Sequence, residues 1–178
     1  MSWVVLSEAV AILFACYLTS IGGLLRTQLQ KILYFASQKG IIRDSYGRGY
    51  YGPFSSDVAN SAESLVSANF LNEAIEFFPQ GIGYKYSLVN NVREVIPKLK
   101  EQTPNRVVEE LSKVVELCQG RTTLSLSIAA KVHYVLKKMN APMSAEEITA
   151  QAEKLKWNIS PDEVLDASTL LKELGLIK

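Results

Sequence analysis

Twice along this chain, three helical segments in a row lead into a leucine-rich extended exit, and this repeated order limits the fold more than any other feature. The first round opens with a nearly unbroken apolar run from Trp3 to Leu18, which predicts a buried core helix. Gly22 and Gly23 turn the chain. A second helix is predicted from about Thr27 to Lys39, because Leu29, Ile32, Leu33, Phe35 and Ala36 keep the i, i+3, i+4 spacing of one helix face. Gly40 stops it. The stretch Tyr46 to Pro53 holds too much Gly and Pro to be helical inside, and Ser55 or Ser56 then caps a third helix reaching about Asn69. Phe70 to Phe78 and Tyr84 to Val89 flank Pro79-Gln-Gly-Ile-Gly83, the pattern of a β-hairpin.

Asn90 or Asn91 opens a further helix to about Lys100, and Pro104 opens another ending near Gly120. The second round then begins. One helix is predicted over about Leu124 to Met139. Ser144 with Glu147, and Ser160-Pro161 with Glu163, are capping boxes for two more. Leu176-Ile177 has room only for the start of a strand. The expected fold is mainly α with a small β-hairpin wing. It comprises two winged-helix-like (helix-turn-helix) modules, residues 1–89 and 122–178, joined by connecting helices over residues 90–121.

Three stretches form a motif: Gln28-Leu-Gln-Lys31-Ile-Leu-Tyr34-Phe35, then Tyr51-Gly52-Pro53-Phe54-Ser55-Ser56-Asp57-Val58, then Leu65-Val66 through Phe70-Leu71. A Leu-Gln-Lys-x-x-Tyr helix followed by Tyr-Gly-Pro resembles the Panacea group of SocA-like antitoxins and the related YwgA-like proteins, over about residues 5–89. The resemblance implies a helical, winged-helix-like domain and a role as antitoxin or proteolytic adaptor. It carries no catalytic residue onto this chain, and the C-terminal half lies outside it. Packing alone accounts for the same residues. Tyr34 and Phe35 belong to the inner side of their helix, and Pro53 holds the chain extended before the capped helix.

Reactive constellations are absent from the pattern. Gly47-Arg-Gly49-Tyr-Tyr-Gly52 matches G-x-G-x-x-G but lacks the preceding strand and βαβ unit of a dinucleotide site. His133 is the only histidine, and no nucleophile or carboxylate stands at a spacing that makes it a triad member. Cys16 and Cys118 read as buried free thiols, and no His/Cys group has metal-ligand spacing. These features predict a non-enzymatic protein without cofactor or metal. The first basic residue is Arg26, and Glu8 and Gly22-Gly23 interrupt the apolar run. Neither a secretory leader nor a membrane span is expected, and the location expected is cytoplasmic.

Net charge is +1, so any field for a polyanion is local. Between Gly49 and Tyr84 there is no Lys or Arg, while Asp57, Glu63, Glu73 and Glu76 are acidic. Asp162, Glu163, Asp166 and Glu173 likewise outnumber Lys172 in the last helix. Both helices in the recognition position are therefore acidic. Base collects instead at Arg26, Lys31, Arg43, Arg48 and Lys85, the candidate contacts to double-stranded DNA if the chain is a DNA-associated transcriptional regulator. The other function left open is a protein-interaction module, such as an antitoxin, adaptor or assembly subunit. It would use Tyr50, Tyr51, Asp57 and Glu63. Segregated charge also suits a homodimer, acidic face against basic face.

Overall fold

The computed structural model of the chain describes residues 5–178. It is mainly helical, with a small antiparallel sheet and eight helices among the described residues. The first helix, expected from Trp3, begins later: Trp3 itself lies outside the described residues, and residues 5–7 are not helical. Helix α1 runs Glu8–Leu18, with the Ser7 hydroxyl accepting from the Val10 amide. Ala11 to Cys16 are buried on every side because the helix is central. It touches α2 (Arg26–Gln38), α3 (Ser56–Ser67), α4 (Asn90–Glu101) and α5 (Asn105–Gln119). Continuous hydrophobicity without an amphipathic stripe is what such a position demands.

After α1 the chain turns through Gly22 and Gly23 into a two-residue strand, β1 (Leu24–Leu25). Gly23 has φ +144°, and a Cβ there would stand 2.5 Å from the Tyr86 carbonyl oxygen. Only glycine lets β1 come this close to β5 (Gly81–Leu88). β5 pairs on its other side with β4 (Leu71–Phe78), giving an antiparallel sheet in the order β1-β5-β4. The hairpin register is unbroken from Leu71↔Leu88 to Phe78↔Gly81, so Pro79 and Gln80 form a two-residue turn.

The sequence places the second hairpin strand at Tyr84. It begins three residues earlier, because Gly81 and Gly83 belong to the strand and not to the turn. A Cβ on Gly83 would sit 2.7 Å from the Phe78 ring, so the glycine makes room for an aromatic neighbour. The Tyr/Gly stretch also forms more structure than expected. Strands β2 (Gly47–Gly49) and β3 (Gly52–Phe54) pair around a Tyr50-Tyr51 turn. Leu176 and Ile177 form no strand.

The last three helices are α6 (Thr123–Met139), α7 (Ala145–Lys154) and α8 (Pro161–Glu173). Both expected capping boxes are present, Ser144 with Glu147 and Ser160 with Glu163. These helices pack on one another, and α6 also lies along α2 and β3. Leu29, Ile32 and Leu33 of α2, Val114 and Val115 of α5, and Leu126, Ala129 and Val132 of α6 share one buried cluster. Polar ties cross the same contact. Lys39 Nζ donates to the Leu174 carbonyl at 2.9 Å and Lys137 Nζ to Gln38 Oε1 at 2.6 Å. Trp157, 2% exposed, donates its indole N–H to the Gly49 carbonyl at 2.9 Å. No helix among the described residues is long and apolar enough to cross a membrane.

Candidate interaction surface

The two halves of the sequence motif meet in space. Gln30, buried in α2, grips the backbone of Ser55 with both ends of its amide. Its Nε2 donates to the Ser55 carbonyl at 2.9 Å, and its Oε1 accepts from the Ser55 amide at 3.1 Å. One residue on, Lys31 Nζ donates to the Pro53 carbonyl at 2.7 Å. Three hydrogen bonds therefore fix the Gly-Pro-Phe-Ser strand against α2. The same bonds aim α3, since the Ser55 hydroxyl caps it by accepting from the Val58 amide. Gly52 closes the arrangement at φ +104°, where a Cβ would press within 3.3 Å of the Ser127 carbonyl and within 3.2 Å of Lys131.

Lys31 was expected on a phosphate-binding face, and this must be corrected. It is 2% exposed, and its ammonium points inward to Pro53. Burial lowers its pKa to about 8, and Lys131 nearby adds repulsion. The helix spacing that looked basic and outward is encased by α6 and β3. Arg26 and Lys85 do reach the surface at the base of the β4–β5 hairpin, but both are paired. Arg26 donates to Glu73 at 2.8 Å and to the Tyr86 hydroxyl at 3.0 Å, while its guanidinium lies 4.3 Å over the Tyr84 ring. Lys85 Nζ stands 3.2 Å from Glu76. Arg48 is exposed, yet its Nε donates to the Leu155 carbonyl and ties β2 to the end of α7. Arg43 is exposed before β2.

The acidic candidates lie where an incoming molecule would meet them. Val58, Ala62 and Leu65 turn the inner face of α3 to the core, and Asp57, Asn60, Glu63 and Ser64 face outward. A shallow groove between this face and the start of α1 is lined by Glu8, Asp57, Asn60, Ser61, Leu65 and Phe70. Tyr50 and Tyr51 stand apart at the tip of the β2–β3 turn, 82% and 63% exposed, their rings edge to face at 4.8 Å.

His133 lies in the interior. Its Nδ1 is 2.8 Å from the Tyr34 hydroxyl, and burial lowers its pKa to about 4, with Lys137 contributing. Burial also raises the Tyr34 phenol, so both groups stay neutral and share one hydrogen bond whose direction follows the ring tautomer. Cys16 and Cys118 are buried free thiols, each pushed up to about 12 by burial. The G-x-G-x-x-G residues make the β2–β3 hairpin, and α3 opens only at Ser56, so no helix N-terminus follows the last glycine. Among the described residues, no three His, Cys, Asp or Glu side chains gather as a metal would require.

The sequence did not reveal Gln30 as the joint of the motif, nor Trp157 as the clamp on β2. An amide and an indole carry no periodic signal, and their partners are backbone atoms far along the chain. The apolar outer face of the hairpin was also missed. Ile75-x-Phe77 and Ile82-x-Tyr84 on either side of the turn were its signal. No protein-family model matches the chain, and no curated protein matches it.

Proposed function

We propose that this chain is a non-catalytic protein-interaction module of the antitoxin, adaptor or assembly-subunit kind, built on a winged-helix-like N-terminal half, and that it docks its partner on the outer face of α3. The order helix, short strand, helix, helix, hairpin supports the winged-helix reading, as does β1 lying on the outer side of β5. The bonds that join Gln30 and Lys31 to Pro53 and Ser55 support the resemblance to the Panacea group, because they give the paired motifs one physical task.

The observation that carries the proposal is the charge of the docking face. A DNA-reading winged helix sets its third helix in the major groove and needs cations around it for phosphate. Here the exposed side of α3 offers Asp57 and Glu63 and no base. At the base of the hairpin, Arg26 of α2 and Lys85 of β5 are occupied by Glu73 and Glu76. Such a surface repels phosphate and attracts a basic protein segment.

The test reverses the charge. With Asp57→Lys and Glu63→Lys together, the partner that co-purifies with the wild-type chain from its own cells is lost, while the thermal melt falls by only a few degrees, as a cation in the first turn of α3 requires. A partner retained by that variant contradicts docking on α3.

A further inference from the structure

The β2–β3 hairpin is braced on both strands. Trp157 Nε1 donates to the Gly49 carbonyl at 2.9 Å, Arg48 Nε to the Leu155 carbonyl, and Lys31 Nζ to the Pro53 carbonyl at 2.7 Å. What this bracing holds out to solvent is a pair of aromatic rings, Tyr50 and Tyr51. Aromatic side chains on a fixed turn lose little freedom when a partner covers them. The ground around them is basic. Residues 45–56 carry Arg48 and no acid, and α7 ends beside β2 in Lys154-Leu155-Lys156, with both lysines exposed. Glu153 is the single acid between Ile148 and Pro161. Among the described residues, Arg48, Lys154 and Lys156 enter no ion pair.

Lys156 adds an independent observation. Its φ is +62°, just past α7, where the chain turns left-handed. Its amide donates to the Glu153 carbonyl and the Trp157 amide to the Ala152 carbonyl, the ending of a helix that stops on glycine. Gly40 and Gly175 take that position after α2 and α8. Among the described residues, Lys156 is the one positive-φ residue that is neither glycine nor asparagine. A lysine is less stable than glycine in this conformation. Among the described residues, no group bonds its ammonium. The fold itself has no use for that charge, so its use lies with something outside the chain.

We propose that the Tyr50-Tyr51 tip, with Arg48, Lys154 and Lys156, is a second docking site, and that it takes an acidic protein segment with an apolar side chain beside its carboxylates. The carboxylates meet the cations, and the apolar group covers the tyrosine rings. Arg48 is set up for this. Its Nε is used on Leu155, which orients the guanidinium and leaves both terminal nitrogens for a carboxylate. The same features disfavour a nucleic acid. Three cations at one corner fall short of the row of phosphate contacts that such binding uses. The two rings also lie edge to face, so one covers a face of the other that a base would stack on. The site is opposite in charge to α3 and does not depend on α3 binding a partner.

Selection of random phage-displayed peptides on the immobilised full chain tests it, with the affinity of each selected peptide then read by fluorescence anisotropy. Peptides that bind the tip are expected to set Asp or Glu beside an aromatic or aliphatic residue. Tyr50→Ser, which changes a solvent-facing side chain, is expected to weaken them at least about tenfold, since aromatic anchors dominate such contacts. Lys156→Gly is expected to weaken them about threefold or more while its melting temperature rises by about 2–4 °C, because glycine suits the left-handed turn. Asp57→Lys with Glu63→Lys is expected to leave them bound, which separates this site from α3. The proposal is overturned if no selected peptide depends on Tyr50, or if those that do are basic or uncharged. It is also overturned if Lys156→Gly leaves their affinity unchanged. Binding of a labelled oligouridylate that Tyr50→Ser abolishes overturns it in favour of single-stranded RNA. A dimer in sedimentation equilibrium that Tyr50→Ser dissolves overturns it in favour of a second copy.

Discussion

Single residues decide how tightly the motif is held. Gln30 satisfies two buried backbone groups of Ser55 at once. Gln30→Ala leaves both unpaired, and an unmet buried donor or acceptor costs about 1–3 kcal/mol, so chemical denaturation should show a loss of roughly 2–4 kcal/mol. His133 sets a pH dependence. An unfolded histidine titrates near 6.5, whereas the buried ring titrates at about 4. Between those values the unfolded chain takes up a proton that the folded chain refuses, so stability is full above about pH 6.5 and declines as pH falls towards 4. The urea midpoint followed over that range should fall more steeply for wild type than for His133→Gln. Equal slopes would show that the ring is not held neutral. Lys31 has the opposite lesson for sequence reading. Its charge looked like surface, because a single lysine in an amphipathic helix carries no mark of the second layer that will cover it. Only the packing of α6 and β3 on α2 puts it inside.

At the scale of elements, the sequence showed most where local chemistry decides. Ser55, Ser144 and Ser160, the expected caps, each accept from an amide in the first turn of their helices; Ser7 and Thr122 do so unanticipated, and apart from the start of α1 the helix boundaries fall within a few residues of the expected ones. It showed least where glycine stands in a strand. Gly81 and Gly83 read as turn, and Gly47, Gly49 and Gly52 only as non-helical, yet all are paired. At three of them a Cβ would meet a neighbour, Phe54 at Gly49, Phe78 at Gly83 and the facing α6 at Gly52, whereas Gly47 and Gly81 have open space beside them. Asp57 belongs at this scale too. It lies in the first turn of α3, where a carboxylate meets the positive end of the helix dipole. Asp57→Asn should therefore lower stability by less than about 1 kcal/mol in denaturant titration, a change small enough to leave docking effects readable. The β2–β3 hairpin depends on a distant element. Trp157→Phe removes the indole bond to Gly49, and hydrogen exchange at residues 47–54 should quicken while that of α1 and α5 does not.

For the whole molecule, charge distribution rather than fold order carries the functional conclusion. Helices followed by a hairpin would by themselves favour a DNA-binding role, and the bases at Arg26, Lys31, Arg43, Arg48 and Lys85 look sufficient in the sequence. Folding divides them. Lys31 goes inside, Arg26 and Lys85 are taken by glutamates, Arg48 is drawn to Leu155, and Arg43 stays exposed. The acidic α3 and the apolar hairpin keep the outer positions, and neither is suited to phosphate. The acids were legible from the sequence, since helix spacing alone turns Asp57 and Glu63 away from Val58, Ala62 and Leu65. The loss of Arg26, Lys31 and Arg48 was not legible, because each is held by a group more than twenty residues away, and that of Lys85 only once the hairpin register places Glu76 beside it. A salt titration of duplex-DNA binding by the full chain tests this most directly. The account predicts no measurable binding even at low ionic strength, and no gain from lengthening the duplex. Binding whose affinity falls steeply with salt, as release of several phosphate counterions requires, and which Arg26→Ala with Arg43→Ala weakens, would contradict it.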